Sequence, residues 1–199
     1  INIFDDSTKK EKLRVSLLLS EYYTCSNAEK KKELRQKISD TINKQLEIQE
    51  YNSVILEELK KINIAENNKF FLWHTWFSDV FNRDGKEGFD IVIGNPPYEA
   101  NIDELVPLYE RLYSKTSHGY KDIYKYFYDF GLSICSKEGS LCYITPNTFL
   151  RQPRYGDLRR LLLEYNITQI LDLGENIFMD AEVPVAICLC KATKISSVI

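Results

Sequence analysis

From residue 65 onward the chain alternates short apolar runs with stretches of helical period, and this alternation restricts the fold more than any other feature. Phe89 to Gly94 (FDIVIG) reads as a buried strand. Residues 120–136 read as a helix, closed by a turn at Lys137-Glu138-Gly139. Residues 140–145 (SLCYIT) read as a second strand, 155–165 as a helix, 168–173 (TQILDL) as a third strand and 183–190 (VPVAICLC) as a fourth. Strands separated by helices require crossover connections, so the predicted fold class is α/β with a mostly parallel sheet.

Residues 1–64 have a different texture. Thr8-Lys9-Lys10-Glu11 and Ser26-Asn27-Ala28-Glu29 fit helix-initiating capping boxes. Behind the second box, Leu34, Ile38, Ile42 and Leu46 recur every four residues, and Ile55, Leu59 and Ile62 resume the stripe, with charged residues between. The pattern predicts helices over 8–23 and 27–62, packed as a hairpin on themselves or on a partner. Lys30-Lys31-Lys32 sits between Glu29 and Glu33, which makes it a solvated helix face rather than a nucleic-acid patch. Two segments are therefore expected: a helical hairpin over 1–64 and an α/β part over 65–199.

Composition excludes several classes. Hydrophobic residues are 44% and charged residues 28%, a globular rather than disordered balance. No apolar run approaches the ~20 residues of a membrane helix, and the start Ile1-Asn2-Ile3-Phe4-Asp5-Asp6 lacks the basic and apolar regions of a secretory signal. Cys25, Cys135, Cys142, Cys188 and Cys190 are odd in number and show no metal-type pairing, so reduced thiols, no metal and a cytoplasmic location are expected. Cys188 and Cys190, two apart in a strand, share one face. The net charge of -3 is not that of a free-standing nucleic-acid-binding module, so any such affinity must come from a local patch or from parts outside the chain.

The chemistry-bearing segment is Asn95-Pro96-Pro97-Tyr98, straight after the first strand. In open α/β sheets, ligands bind beyond the carboxyl ends of strands. Two prolines lock the backbone and remove two amide donors, leaving carbonyl acceptors. Asn95 adds a side-chain acceptor, and Tyr98 a flat face with a polar tip. Two acceptors suit the two hydrogens of an exocyclic amine. Such an amine is a poor nucleophile while its lone pair is delocalised into a ring, and tetrahedral hydrogen bonding frees that pair. A proline turn with an Asn cap is the plainer alternative.

The segment resembles the amine-binding motif of S-adenosylmethionine-dependent amino-methyltransferases. Residues 71–81 (FLWHTWFSDVF), Gly88-Phe89-Asp90, Lys121-Asp122-Ile123-Tyr124, the Gly139 turn and Thr145-Pro146-Asn147-Thr148-Phe149 extend the likeness. Together, over residues 70–192, they resemble the large bacterial restriction-modification enzymes that methylate adenine at N6 and carry an endonuclease. The resemblance implies the C-terminal half of a Rossmann-like methyltransferase sheet, with its last strand antiparallel and inserted between its neighbours. It implies that Asn95, Pro96, Pro97 and Tyr98 are catalytic and that an adenine flipped from DNA is the substrate. It places Phe178 opposite Tyr98 on that base and Phe127 beside the cofactor's adenine ring. Asp122 is expected in the cofactor pocket or, more simply, as the N-cap of its helix. Arg151 and Arg154, in a cluster with Arg159 and Arg160, are expected to hold phosphates or to be solvated helix-start residues.

The glycine-rich cofactor loop and its ribose-binding acid do not occur upstream of Asn95: none of the 8 glycines forms a G-x-G cluster. With no initiator Met, the chain is expected to be a fragment lacking the N-terminal cofactor-binding half and the target-recognition domain. Alone it would bind S-adenosylmethionine weakly or not at all, be catalytically silent, and pair with a second copy through the open edge of the first strand. Rival readings are a protein glutamine-N5 methyltransferase, a cytosine-N4 methyltransferase, which usually has Ser or Asp at position 95, and a non-catalytic interaction fragment.

Overall fold

The structure, a computed structural model, describes residues 9–48, 73–98, 102–103, 105–178 and 183–195. It divides into two compact units, residues 1–81 and 82–199. The break falls after Phe81, whereas the composition changes at residue 65.

In the first unit, α1 (Lys9–Thr24) and α2 (Ala28–Ile48) form a hairpin joined at residues 25–27. Val15 and Leu19 of α1 meet Ile38 and Ile42 of α2, so two residues of the predicted stripe form the buried seam, and Leu34 is buried as well; the burial of Leu46 and of the later stripe positions lies outside what is described. Tyr22 and Trp76 pack against it. Asn27, not Ser26, is the working cap: its Oδ1 accepts the Lys30 N–H at 3.0 Å and its carbonyl accepts the Lys31 N–H at 2.9 Å. The Thr8 box and the expected run of α2 to residue 62 lie outside the described residues. The aromatic segment folds as two single turns, α3 (Trp73–Trp76) and α4 (Ser78–Phe81). Trp73 stacks on Phe77, and His74 on Phe81. Burial of the His74 ring lowers its pKa.

The second unit begins with β1 (Phe89–Gly94), followed by α5 (Val106–Leu112), which the sequence pattern did not predict, and α6 (Ile123–Ile134). Then come β2 (Cys135–Pro146), α7 (Thr148–Arg151), α8 (Gly156–Leu163), β3 (Tyr165–Gly174) and β4 (Val185–Lys194). The sheet order is β1-β2-β4-β3. β1 and β2 are parallel, and β4 runs antiparallel between β2 and β3. The α/β class and the inserted last strand are as expected from the sequence. The expected turn at Lys137-Glu138-Gly139 is instead an irregularity within β2: Phe89 pairs with Cys135 and Ile91 with Ser140, so the extra residues bulge while pairing continues on both sides.

One face of the sheet carries the core. Val92, Leu141, Tyr143, Cys188 and Cys190 pack with Tyr124, Tyr128 and Leu132 of α6 and with Leu158, Leu161 and Leu162 of α8. Cys188 and Cys190 do share a buried face, and all five cysteines are free thiols. The other face presents Ile91 and Ile93, 68% and 76% exposed. Among the described residues β1 pairs only with β2. No described helix is long and apolar enough to cross a membrane.

Candidate active site at the carboxyl edge of the sheet

Strand direction decides where the motif lies. β1, β2 and β3 run the same way, so their carboxyl ends share one edge with the start of β4. Gly94 pairs with Tyr143, and both Pro146 and Gly174 pair with Val185. The residues that follow these strands, 95–98, 147–155 and 175–178, therefore gather at that edge. The start of α6 lies there too, since α6 leads back to the beginning of β2.

Within the motif, burial alternates. Asn95 and Pro97 are exposed, Pro96 is buried, and Tyr98 is half-buried against the core cluster. The buried proline anchors the turn while leaving the Asn95 side chain in solvent. Phe127 is also half-buried, on the same cluster. Phe178 is half-buried beyond Gly174 and Asn176, both of which adopt positive φ (71° and 62°).

Asp122 is buried and stands at the N-cap position of α6 with extended backbone, but its side chain makes no capping hydrogen bond. The expected capping role is corrected. Its Oδ2 instead accepts the Tyr155 hydroxyl at 3.2 Å, which turns the carboxylate across to the β2–α8 connection. Tyr155 stacks on Tyr124, whose hydroxyl meets Thr148 Oγ1 at 3.2 Å. Burial raises the pKa of both phenols, so they remain protonated at neutral pH.

The four arginines separate. Arg151 is 85% exposed at its side chain, with Nη2 3.5 Å from Asp172 Oδ2. Arg154 is exposed and lies 4.2 Å over the Tyr120 ring, its Nε donating to Gln152 Oε1 at 2.6 Å. Arg159 donates to the carbonyls of Phe149 and Gln152 and so braces the loop. Arg160 is exposed. Among the described residues no cluster of His, Cys, Asp and Glu could hold a metal ion.

Residues 3–178 match the model of the Eco57I restriction-modification methylase family. The chain belongs to that family. It is 35% identical over 119 residues to the type II methyltransferase M.BstVI of Geobacillus stearothermophilus, covering 57% of this chain and 20% of that protein. It is 30% identical over 95 residues to the Escherichia coli type II restriction enzyme and methyltransferase RM.Eco57I, covering 44% and 9%. A class I S-adenosylmethionine-dependent methyltransferase from Listeria monocytogenes superposes with a TM-score of 0.44 at 13% identity, covering 100% of this chain and 72% of that one. The chain spans about a fifth of the length of the curated relatives it matches over most of its own.

Two features of this Eco57I-family edge were not read as functional from the sequence. Asn147 Nδ2 donates to Asp172 Oδ1 at 2.8 Å while its N–H donates to the Pro184 carbonyl at 2.9 Å, tying the ends of β2 and β3 to the entry of β4. The one signal was an acid within the apolar run TQILDL. The second is the buried pair Lys125 and Asp157, 2.7 Å apart. A lysine in a helix beginning KDIYK carries no mark of burial.

Proposed function

We propose that this chain forms the amine-binding half of a DNA adenine-N6 methyltransferase of a restriction-modification system. The observation that carries the reading is the motif's setting: Asn95 is exposed, Pro96 buried and Tyr98 half-buried, at the carboxyl edge where three strand ends converge. The Asn95 side-chain oxygen and the Pro96 carbonyl accept the two hydrogens of the amine. Tyr98 stacks on the base, with Phe178 on its other face. Duplex DNA hides this nitrogen, so the base is extruded before reaction. Arg151 and Arg154 hold flanking phosphates.

S-adenosylmethionine supplies an electrophilic methyl group when bound. The residues present fit one wall of its pocket: Phe127 offers a half-buried aromatic face, and Asp122 a buried carboxylate. The remaining walls, the target-recognition domain and a fused nuclease are assigned to other parts of the full-length protein, a cytoplasmic enzyme. Residues 1–64 are an insertion before the motif. In isolation the chain is catalytically silent and self-associates through the side of β1 that pairs with no strand among the described residues.

The test is Asn95→Ala in the full-length protein. Loss of one acceptor at a centre developing charge costs about 3 kcal/mol, roughly a hundredfold or more in turnover, by analogy with oxyanion-hole donors. Near-normal turnover would refute the role of Asn95. Offering DNA and a release-factor protein as parallel substrates separates this reading from glutamine methylation, and locating the methyl group on adenine or cytosine tests the base.

A further inference from the structure

The carboxyl edge also contains a charge that no solvent reaches. Lys125, in the first turn of α6, is fully buried, and Asp157, in the first turn of α8, is 3% exposed. Lys125 Nζ lies 2.7 Å from Asp157 Oδ2 and donates to the carbonyl oxygens of His118 and Tyr120, each at 2.7 Å. The two carbonyls take two of the ammonium's hydrogens, and the Asp157 carboxylate stands beside it as the opposing charge. The other carboxylate oxygen of Asp157 accepts the Leu158 N–H at 2.8 Å. Such a pair contributes little net stability compared with apolar side chains of the same volume, so stability alone does not account for it.

Both hydrogen bonds of the ammonium go to the turn at residues 118–120, and that turn is docked on Arg154. The Tyr120 N–H donates to the Arg154 carbonyl at 3.2 Å. Gly119, at φ +70°, passes so close that a Cβ would lie 2.4 Å from the same oxygen. The Tyr120 ring then lies 4.2 Å below the Arg154 guanidinium. Asp157 stands three residues beyond Arg154, so one ammonium holds both the turn under this arginine and the helix start that follows it.

We infer that Lys125 is a positioning residue for Arg154: it clamps the 118–120 turn so that the Tyr120 ring presents the Arg154 guanidinium at the carboxyl edge, oriented for a DNA phosphate. This rests on the proposed DNA reading. A planar guanidinium held on an aromatic face is pre-organised, and so loses less freedom on pairing with phosphate oxygens. Lys125 itself, fully buried, cannot touch DNA.

Salt dependence tests the clamp. The affinity of the full-length protein for a labelled mixed-sequence duplex is measured over a range of salt concentrations, where the slope counts phosphate contacts. Lys125→Met/Asp157→Leu removes one positive and one negative charge, both buried, so the net charge is unchanged. The expected result is a variant that keeps its thermal midpoint, binds more weakly and has its log–log salt slope reduced by about one, matching Arg154→Ala. Adding Arg154→Ala to it should cause no further loss. Tyr120→Ala, at a residue 47% exposed, tests the same link without disturbing the core and should reduce the slope equally. If Arg154→Ala lowers the slope while either Tyr120→Ala or a folded double variant leaves it as in the unsubstituted protein, the clamp is wrong and the DNA reading stands. An Arg154→Ala variant with an unchanged slope would end both the phosphate contact and the clamp. Absence of DNA binding by the unsubstituted protein would end the proposed function itself.

Discussion

At Gly131, in α6, an added Cβ would lie 2.5 Å from Tyr143 Oη and 2.7 Å from Leu141 Cδ1. Helix propensity favours alanine over glycine by about 1 kcal/mol. Overpacking a close contact in a well-packed core costs about 1–3 kcal/mol. Gly131→Ala should therefore lower the thermal midpoint, and a raised midpoint would show that the interface has room. The same packing governs titration at alkaline pH. Burial raises the Cys135 thiol from 9.0 to about 11 and the Tyr143 phenol from 10.0 to about 12. A raised folded-state pKa means stability that is complete below the unfolded value and lost as pH climbs through the folded one. Resistance to denaturant should thus fall between pH 9 and 12. Cys135→Ala should flatten the lower part of this fall and Tyr143→Phe the upper part. A profile that is level across the window in the unsubstituted chain would contradict the burial of both groups.

Among the elements, the α1–α2 hairpin depends on a narrow seam and one cap. Asn27→Ala removes the acceptor for the Lys30 N–H and should cost about 1 kcal/mol. Ser26→Ala should cost much less, since Asn27 occupies the cap. Equal losses for the two would restore Ser26 as the cap. Ile38 is 1% exposed in the seam, and Ile38→Ala should cost about 2–5 kcal/mol and melt the hairpin's helical signal. The helix from 27 was legible because a four-residue stripe flanked by charges has one physical solution, an amphipathic helix; the first was expected from its capping box. The extra residues of β2 were not, because Lys137-Glu138-Gly139 has turn composition and only pairing on both sides keeps it extended.

For the whole molecule, the two units raise different questions. The second holds the candidate site at the carboxyl edge of its sheet, packs its core on one sheet face and presents Ile91 and Ile93 on the other. For the cofactor, one aromatic face adds about 1 kcal/mol beyond its burial. That cannot offset the several kcal/mol lost on immobilising a free ligand. Isothermal titration of this 199-residue chain alone with S-adenosylmethionine should show at most weak binding. A low-micromolar dissociation constant would mean that Phe127 and Asp122 belong to a more complete pocket than proposed.

The sequence by itself determined what local pattern encodes: strands where apolar runs are short, helices where the period is four, and a motif, Asn95-Pro96-Pro97-Tyr98, whose prolines restrict the backbone wherever the chain places it. It also carried the family likeness, since that is written in contiguous residues. Tertiary structure decided every matter that depends on non-local neighbours. Asp122 has the composition of a cap, yet its carboxylate faces Tyr155, 33 residues away. Arg154 and Arg159 look alike in sequence, but one lies on an exposed ring and the other braces two carbonyls. Lys125 reads as a surface lysine and is fully buried, because two carbonyls of the preceding turn accept from its ammonium and Asp157 of α8 supplies the opposing charge. The energy of a buried charge depends on its counter-charge, and the sequence around Lys125 does not contain Asp157.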